Sequence, residues 1–323
     1  MKKALLAVAA VVLVIGAAGA GTFYWWPLWV NDQIVRFHMW RQHVKSEYVM
    51  VDGYRIHYFE AEPSPGLRKF EGDKVLVLVH GLGSRGEDWS PLIPTLASQG
   101  FHVYVPDLLG YGRSSRPDVN YSVALQEKTV VDFMSALKLA HADVGGWSMG
   151  GWVSLKLTVD HPELVDRLVV YDAAGVYFPP TFEASLFVPR NYDEMAYLKS
   201  MLTPVPKPLP GFVERAAIRR LKGNAWVIER GVASMEAGKD LLDFRLHEIQ
   251  KPVLIVWGKQ DTLIPLSVGE TMYRKITDSN LLVVDGCGHL APGECSKPVL
   301  KGTIEFLKSQ PVVKGERLEV AEK

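Results

Sequence analysis

Hydrophobic and polar positions change their rhythm several times along this chain. From Ala4 to Val30 no side chain is charged, and Lys2 and Lys3 stand immediately before the run. As a helix, such a run extends about 40 Å, enough to cross a hydrocarbon core of about 30 Å. Tyr24, Trp25, Trp26 and Trp29 close it with rings of the kind that settle at a headgroup layer. Residues 1–30 are therefore expected to form a retained membrane anchor. The competing reading is a secretory signal cut near Ala18-Gly19-Ala20. Next, Val30, Ile34, Phe37, Trp40 and Val44 recur at helical spacing, with Arg36, Arg41, His43 and Lys45 mostly off that stripe. Residues 31–45 thus predict a basic amphipathic helix lying on a membrane or packed on the domain that follows.

Beyond residue 46 the period shortens. Glu47–Val51 and Tyr54–Glu62 flank Asp52-Gly53, a hairpin signal. Lys74–Val79 (KVLVLV) is continuously apolar, as expected of a strand buried on both faces. Phe101–Pro106, Ala142–Trp147, Arg167–Tyr171, Pro252–Trp257 and Asn280–Val284 repeat that character, with helical stretches such as Ser122–Ala140 and Met149–Asp160 between them. The alternation predicts an α/β fold whose mostly parallel sheet is covered by helices on both faces. It covers residues 46–175 and 250–309. Residues 176–249 break it with seven prolines, from Pro179 to Pro210, and no convincing strand. They are expected to form a helical lid over the carboxyl ends of the strands, where such sheets do their chemistry. Residues 310–323 are charged and aperiodic, and a mobile tail is expected.

Composition narrows the class. The 323 residues carry 36 basic and 36 acidic side chains. That balance argues against a nucleic-acid partner, which selects for basic excess. Two cysteines, Cys287 and Cys295, are too few for a disulfide scaffold or a Cys-rich zinc site, and they are expected to be buried free thiols, although a pair clamping the intervening loop is compatible with an oxidising compartment.

The chemistry centres on Gly146-Trp147-Ser148-Met149-Gly150, where a predicted strand turns into a predicted helix. This is the setting G-x-S-x-G requires, with Ser148 as nucleophile. A plain helix cap is the bland alternative. A serine needs a base oriented by an acid, and both should follow it in the chain. Of His161, His247 and His289, only His289 lies in a glycine-rich loop after the last predicted strand. Asp261 ends the turn Trp257–Asp261, and Asp172, directly after another strand, is its rival. His80-Gly81-Leu82-Gly83 matches an oxyanion-loop pattern, so the backbone amides of Leu82 and Met149 are the expected donors, with His80 ordering the loop.

Together, His80–Gly83, Gly110-Tyr111-Gly112-Arg113-Ser114, GWSMGG, WGKQD and GCGH resemble the α/β-hydrolase superfamily over residues 47–308. With the apolar N-terminus, the chain looks like membrane-anchored monoacylglycerol lipases and bacterial membrane-bound esterases and phospholipases. The resemblance implies an α/β-hydrolase fold with a helical lid and an N-terminal transmembrane helix. It also implies a serine esterase for acyl lipids (monoacylglycerol, lysophospholipid or phospholipid) with no metal or organic cofactor. Serine at 148 separates it from epoxide hydrolases and haloalkane dehalogenases, which use aspartate. Small-molecule carboxylesterases, C–C hydrolases and perhydrolases share the serine arrangement, and a tethered binding protein on the same fold is a further alternative. The two-lysine head fits a cytoplasmic N-terminus, with the remainder outside the cytoplasm in a bacterium, and a homodimer stays open.

Overall fold

A computed structural model describes residues 16–63, 74–310 and 314–322. Strands β1 (Lys45–Val51) and β2 (Tyr54–Ala61) form the expected hairpin, with Asp52 and Gly53 at φ 48° and 80°, a turn that suits the strands' right-handed twist. β3 (Lys74–Val79), β4 (Phe101–Pro106), β5 (Ala142–Trp147), β6 (Val165–Tyr171), β7 (Val253–Gly258) and β8 (Ser279–Asp285) follow, and β9 (Arg317–Ala321) completes a nine-stranded sheet. Its order is β1-β2-β4-β3-β5-β6-β7-β8-β9, with β2 antiparallel to both neighbours and every later pairing parallel.

Period-two alternation explains the continuous apolar runs. Val77, Val79, Leu168, Val170, Val253 and Ile255 enter the core on one face, while Leu76, Leu78, Val169, Leu254 and Val256 enter the core on the other. In chain order the helices are α1 (Pro27–Arg41), α2 (Ile93–Ser98), α3 (Val123–Ala136), α4 (Met149–Asp160), α5 (Tyr192–Leu202), α6 (Gly211–Gly223), α7 (Ala225–Glu236), α8 (Leu266–Lys275), α9 (Ala291–Glu294) and α10 (Ser296–Lys308). α3 and α4 feed the first core, and α2 and α10 the second. Between β6 and β7 the described chain is helical, with α5, α6 and α7 and no strand.

The anchor falls partly on residues 1–15, outside the described residues; residues 16–25 are helical, and among the described residues no helix is long and apolar enough to cross a membrane. The tail is not without structure, because Leu281–Asp285 hydrogen-bond a parallel strand formed by Arg317–Ala321. The helix after the apolar run is α1, ending at Arg41, and it docks by its less apolar face. Asp32 and Met39 are buried and Val35 and Arg36 partly so, whereas Ile34, Phe37 and Trp40 point outward. Val44, counted with that stripe, lies past the helix end and is buried.

Candidate active site

Ser148 sits where β5 turns into α4. Its backbone is at φ 57° and ψ −120°, a strained conformation costing on the order of 1–3 kcal/mol. Two glycines make the turn sterically feasible. A Cβ on Gly146 would lie 2.2 Å from the Gly150 carbonyl oxygen, and one on Gly150 would lie 2.3 Å from that of Val79. The turn is further tied down by its own backbone: the Ser148 N–H donates to Tyr171 O at 3.0 Å, and Ser148 O accepts from Ala174 at 3.1 Å. A serine that merely capped α4 would accept a side-chain bond from the first turn, and Ser148 makes none.

Its hydroxyl points instead to His289. Ser148 Oγ lies 2.9 Å from His289 Nε2, and His289 Nδ1 lies 2.8 Å from Asp261 Oδ2. Asp261 is buried, and its Oδ1 accepts the N–H groups of Leu263 and Ile264, both at 2.9 Å, which fixes the carboxylate's orientation. These three residues follow the ends of β5, β7 and β8, within a run of four neighbouring parallel strands, β5-β6-β7-β8. The structure therefore brings together the serine, acid and base picked out in the sequence.

Asp172 stands elsewhere. Its Oδ1 accepts the Gly258 N–H at 2.7 Å, bracing the turn that carries Asp261. Burial, and after it the charge of Asp261, pushes its carboxyl well above the usual carboxylate range. His80 is fully buried, lies 2.8 Å from Gly81 O through Nδ1 and accepts the Leu108 N–H through Nε2 at 3.0 Å. Burial lowers its pKa, so the neutral imidazole stitches the His80–Gly83 loop to the end of β4. That loop runs against Ser148: a Cβ on Gly81 would meet Ser148 Cβ at 3.1 Å. Leu82 and Met149 both line the space beside Ser148.

Sequence reasoning missed two supports. Trp147 Nε1–H donates to the His289 carbonyl at 2.8 Å, so the residue before the serine holds the loop of the base. Its position inside G-x-S-x-G gave no hint of that long-range bond. The cysteine expectation also fails: Cys287 and Cys295 form a disulfide, with Cα atoms 6.3 Å apart, across the loop containing His289. Eight residues of separation carried no geometric information, and the turn into α9 supplies it.

A second Ser–His–Asp line runs from Ser46 through His57 to Asp107, at 3.1 and 2.7 Å. Ser46 lies on edge strand β1 rather than at a strand-to-helix turn, and it lines neither cavity at Ser148. Asp107 also accepts backbone N–H groups of Gly86 and Arg113, which makes this a buried tie between loops. Among the described residues no cluster of His, Cys, Asp and Glu could hold a metal ion.

Two cavities meet at Ser148. One, of about 390 Å³, is walled by Met149, Trp152, Val176, Phe178, Phe182, Val232, Met235 and Ile264 and is mostly apolar, with Tyr177 and Glu236 also on its wall. The other, of about 640 Å³, also reaches His289 and is bordered by Arg85, Arg116, Lys199, Arg219 and Arg220. Leu82, Phe187 and Leu263 belong to both. A larger cavity of about 1110 Å³ lies between α10 and β8–β9 and contains none of these residues.

Strand order, elbow and Ser–His–Asp line define a class, and the profile of the Alpha/beta hydrolase family matches residues 76–300. The chain belongs to that family and is a hydrolase. It is 32% identical over 235 residues to 2-hydroxymuconate semialdehyde hydrolase of a Pseudomonas species, covering 66% of this chain and 80% of that one. It is 28% identical over 295 residues to a 2-hydroxy-6-oxononadienedioate/2-hydroxy-6-oxononatrienedioate hydrolase of Burkholderia vietnamiensis, covering 81% of this chain and 96% of the relative. Among solved structures, a membrane phospholipase A described as a bacterial virulence factor superposes with a TM-score of 0.75 at 26% identity, over 95% of this chain and 98% of that one.

Proposed function

We propose that the protein is a membrane-associated serine esterase that cleaves carboxylic esters of acyl lipids through an acyl-enzyme. The observation that carries this reading is the Ser148–His289–Asp261 line opening on a mostly apolar cavity of about 390 Å³, room for an acyl chain. His289 Nε2 takes the Ser148 proton as Oγ attacks the ester carbonyl, and Asp261 stabilises the imidazolium that results. The Leu82 and Met149 amides hold the oxyanion. Collapse expels the alkoxide, which His289 protonates as the alcohol leaves. Water, deprotonated in turn by His289, then releases the fatty acid and restores Ser148.

Membrane association draws support from the N-terminal region. Trp25, Trp26, Trp29, Ile34, Phe37 and Trp40 are all half or more exposed, an apolar face with no covering in the described chain. The disulfide fits an oxidising compartment, in line with a catalytic domain outside the cytoplasm. The segment 176–249, which walls both cavities, acts in this reading as the lid.

C–C hydrolysis is the second reading, favoured by the activities for which the two relatives above are named. A panel of p-nitrophenyl and glyceryl esters set against vinylogous diketone substrates separates the two. Ser148→Ala is expected to lower ester turnover by about 1,000-fold or more while the fold is retained, and to abolish labelling by a fluorophosphonate. Substantial turnover in that variant overturns the assignment.

A further inference from the structure

The two cavities at Ser148 differ in charge, and that difference has a consequence for the substrate. In the larger one Arg85 and Arg220 share a single carboxylate, Asp32. Arg85 Nη2 and Nη1 lie 2.7 and 3.1 Å from it, and Arg220 Nη2 lies 2.8 Å from it. Two guanidinium groups on one carboxylate leave a positive charge over, and the neighbouring Arg85 contributes, after burial, to lowering the pKa of Arg220. Arg116 spends its hydrogen bonds on the carbonyls of Gly110 and Gly112, and Arg219 on the carbonyl of Trp25, so neither charge is neutralised by the group it binds. The acids nearby do not cancel the set. Lys199 is paired with Glu214, and Asp88 is engaged by Ser84 Oγ and the Arg85 N–H. Five cations on the wall against Asp32, Glu87, Asp88 and Glu214 leave an excess of one (5 − 4 = 1), and Glu87, 3.7 Å from Arg85 Nε, is itself shared with Arg36 and Arg113. The apolar cavity has Glu236 and no cation on its wall.

We propose that this cationic vestibule receives an anionic leaving group, so that the preferred substrate is an acyl ester of a phosphate-bearing alcohol with net negative charge, the acyl chain lying in the apolar cavity. The inference rests on the serine-esterase reading above. It draws on geometry, because the two cavities that meet at Ser148 offer a carbonyl there two directions for its substituents. The larger cavity also carries apolar side chains such as Met195, Leu198 and Ile228, but it alone of the two offers cations, so a phosphate entering the other cavity loses its counter-charge while an acyl chain there loses nothing. Reaction chemistry is unchanged: the ester C–O bond breaks, the acyl group passes to Ser148 Oγ, and the phosphate-bearing alkoxide takes its proton from His289.

The test uses the full-length protein in detergent and three octanoyl substrates as monomers. Lysophosphatidylglycerol is anionic, lysophosphatidylcholine zwitterionic and monooctanoylglycerol neutral. The expected kcat/KM for the anionic substrate exceeds that for the zwitterionic one by about 10-fold, consistent with one charge-assisted contact. The gap narrows as salt rises from about 50 to about 500 mM. Arg116→Gln and Arg219→Gln are each expected to reduce the anionic-to-zwitterionic ratio several-fold, a readout that general loss of activity does not move. Glycerol 3-phosphate is expected to inhibit p-nitrophenyl octanoate hydrolysis competitively, with glycerol far weaker. If p-nitrophenyl octanoate is turned over through Ser148 while the three lipids show no charge preference and glycerol 3-phosphate has no effect, the vestibule assignment fails and the esterase reading stands. If no ester is turned over, the esterase reading fails first.

Discussion

Trp147 and Asp143 show how differently single side chains in one short strand bear on the molecule. Trp147 leaves β5 just before Ser148 and donates its indole N–H to the His289 carbonyl. Trp147→Phe keeps the ring against the imidazole loop and deletes that donor. The expected result is a kcat lowered about 3- to 10-fold with little change in melting temperature, because one hydrogen bond aligning the base is lost. An unchanged kcat removes the positioning role. Asp143, four residues earlier, does the opposite kind of work. Burial pushes its carboxyl up to about 6 from 3.8, and Lys74, 3.4 Å away, pulls only partly back. Between those pH values the folded chain holds a proton that the unfolded chain releases, so the contribution to stability is present below about 4 and is lost as pH rises through about 6. Asp143→Asn, which does not titrate, is therefore expected to gain stability relative to the native chain on going from pH 5 to pH 8. Denaturant midpoints of both proteins at the two pH values check this, and a constant difference contradicts it.

At the scale of elements, what the sequence revealed and what it hid have separate physical causes. Strands buried on both faces read as apolar runs, and the elbow, the Asp261 turn and the His289 loop are contiguous motifs, so Ser148, Asp261 and His289 were legible. Asp32 was not. Its partners lie 53 and 188 residues away, and nothing local distinguishes an aspartate that will be buried from one in solvent. Hence α1 was read by its aromatic stripe, whereas the structure docks it by the face with Asp32, Arg36 and Met39, with Arg36 on Glu87 at 2.8 Å. β9 escaped for a related reason: its residues are mostly exposed, so no alternation marks them. Asp32→Ala should leave Arg85 and Arg220 without their shared counter-charge. A loss of about 2–3 kcal/mol in unfolding free energy is expected, accompanied by faster proteolysis within α1. Equal stability would mean that the helix is held by its other contacts, Arg36–Glu87 and buried Met39 among them. The disulfide presents the same lesson in its simplest form. Closing a loop of this length contributes about 2 kcal/mol, and here it also restrains the base, so replacing Cys287 and Cys295 by alanine is expected to lower both the melting temperature and kcat. Thiol titration of the denatured, unreduced chain should find no free thiol.

Taken whole, the molecule places its chemistry and its exposed apolar surface on connected parts. The helix through residues 16–25 touches the segment between β6 and β7, where Tyr24 stacks on Phe212 at 5.3 Å and Arg219 reaches the Trp25 carbonyl. α1 continues from it, contributes Leu28 to the vestibule wall and grips the loop after Gly83 through Asp32 and Arg85. A bilayer that accepts the outward aromatic face would thus lie beside the mouth of the vestibule, and a lipid substrate would travel a short way from membrane to Ser148. Deleting residues 1–30 separates this delivery from the chemistry, since all five residues assigned to the reaction remain. The expected outcome is a fall of about 10-fold or more in hydrolysis of lipid presented in vesicles, against a change of no more than about 3-fold for a soluble p-nitrophenyl ester. Vesicle co-sedimentation of the Ser148→Ala protein with and without residues 1–30 reports binding independently of turnover. Equal losses on both substrates would place the segment's role in folding or in shaping the vestibule. Retained vesicle activity with lost sedimentation would separate surface binding from substrate access altogether.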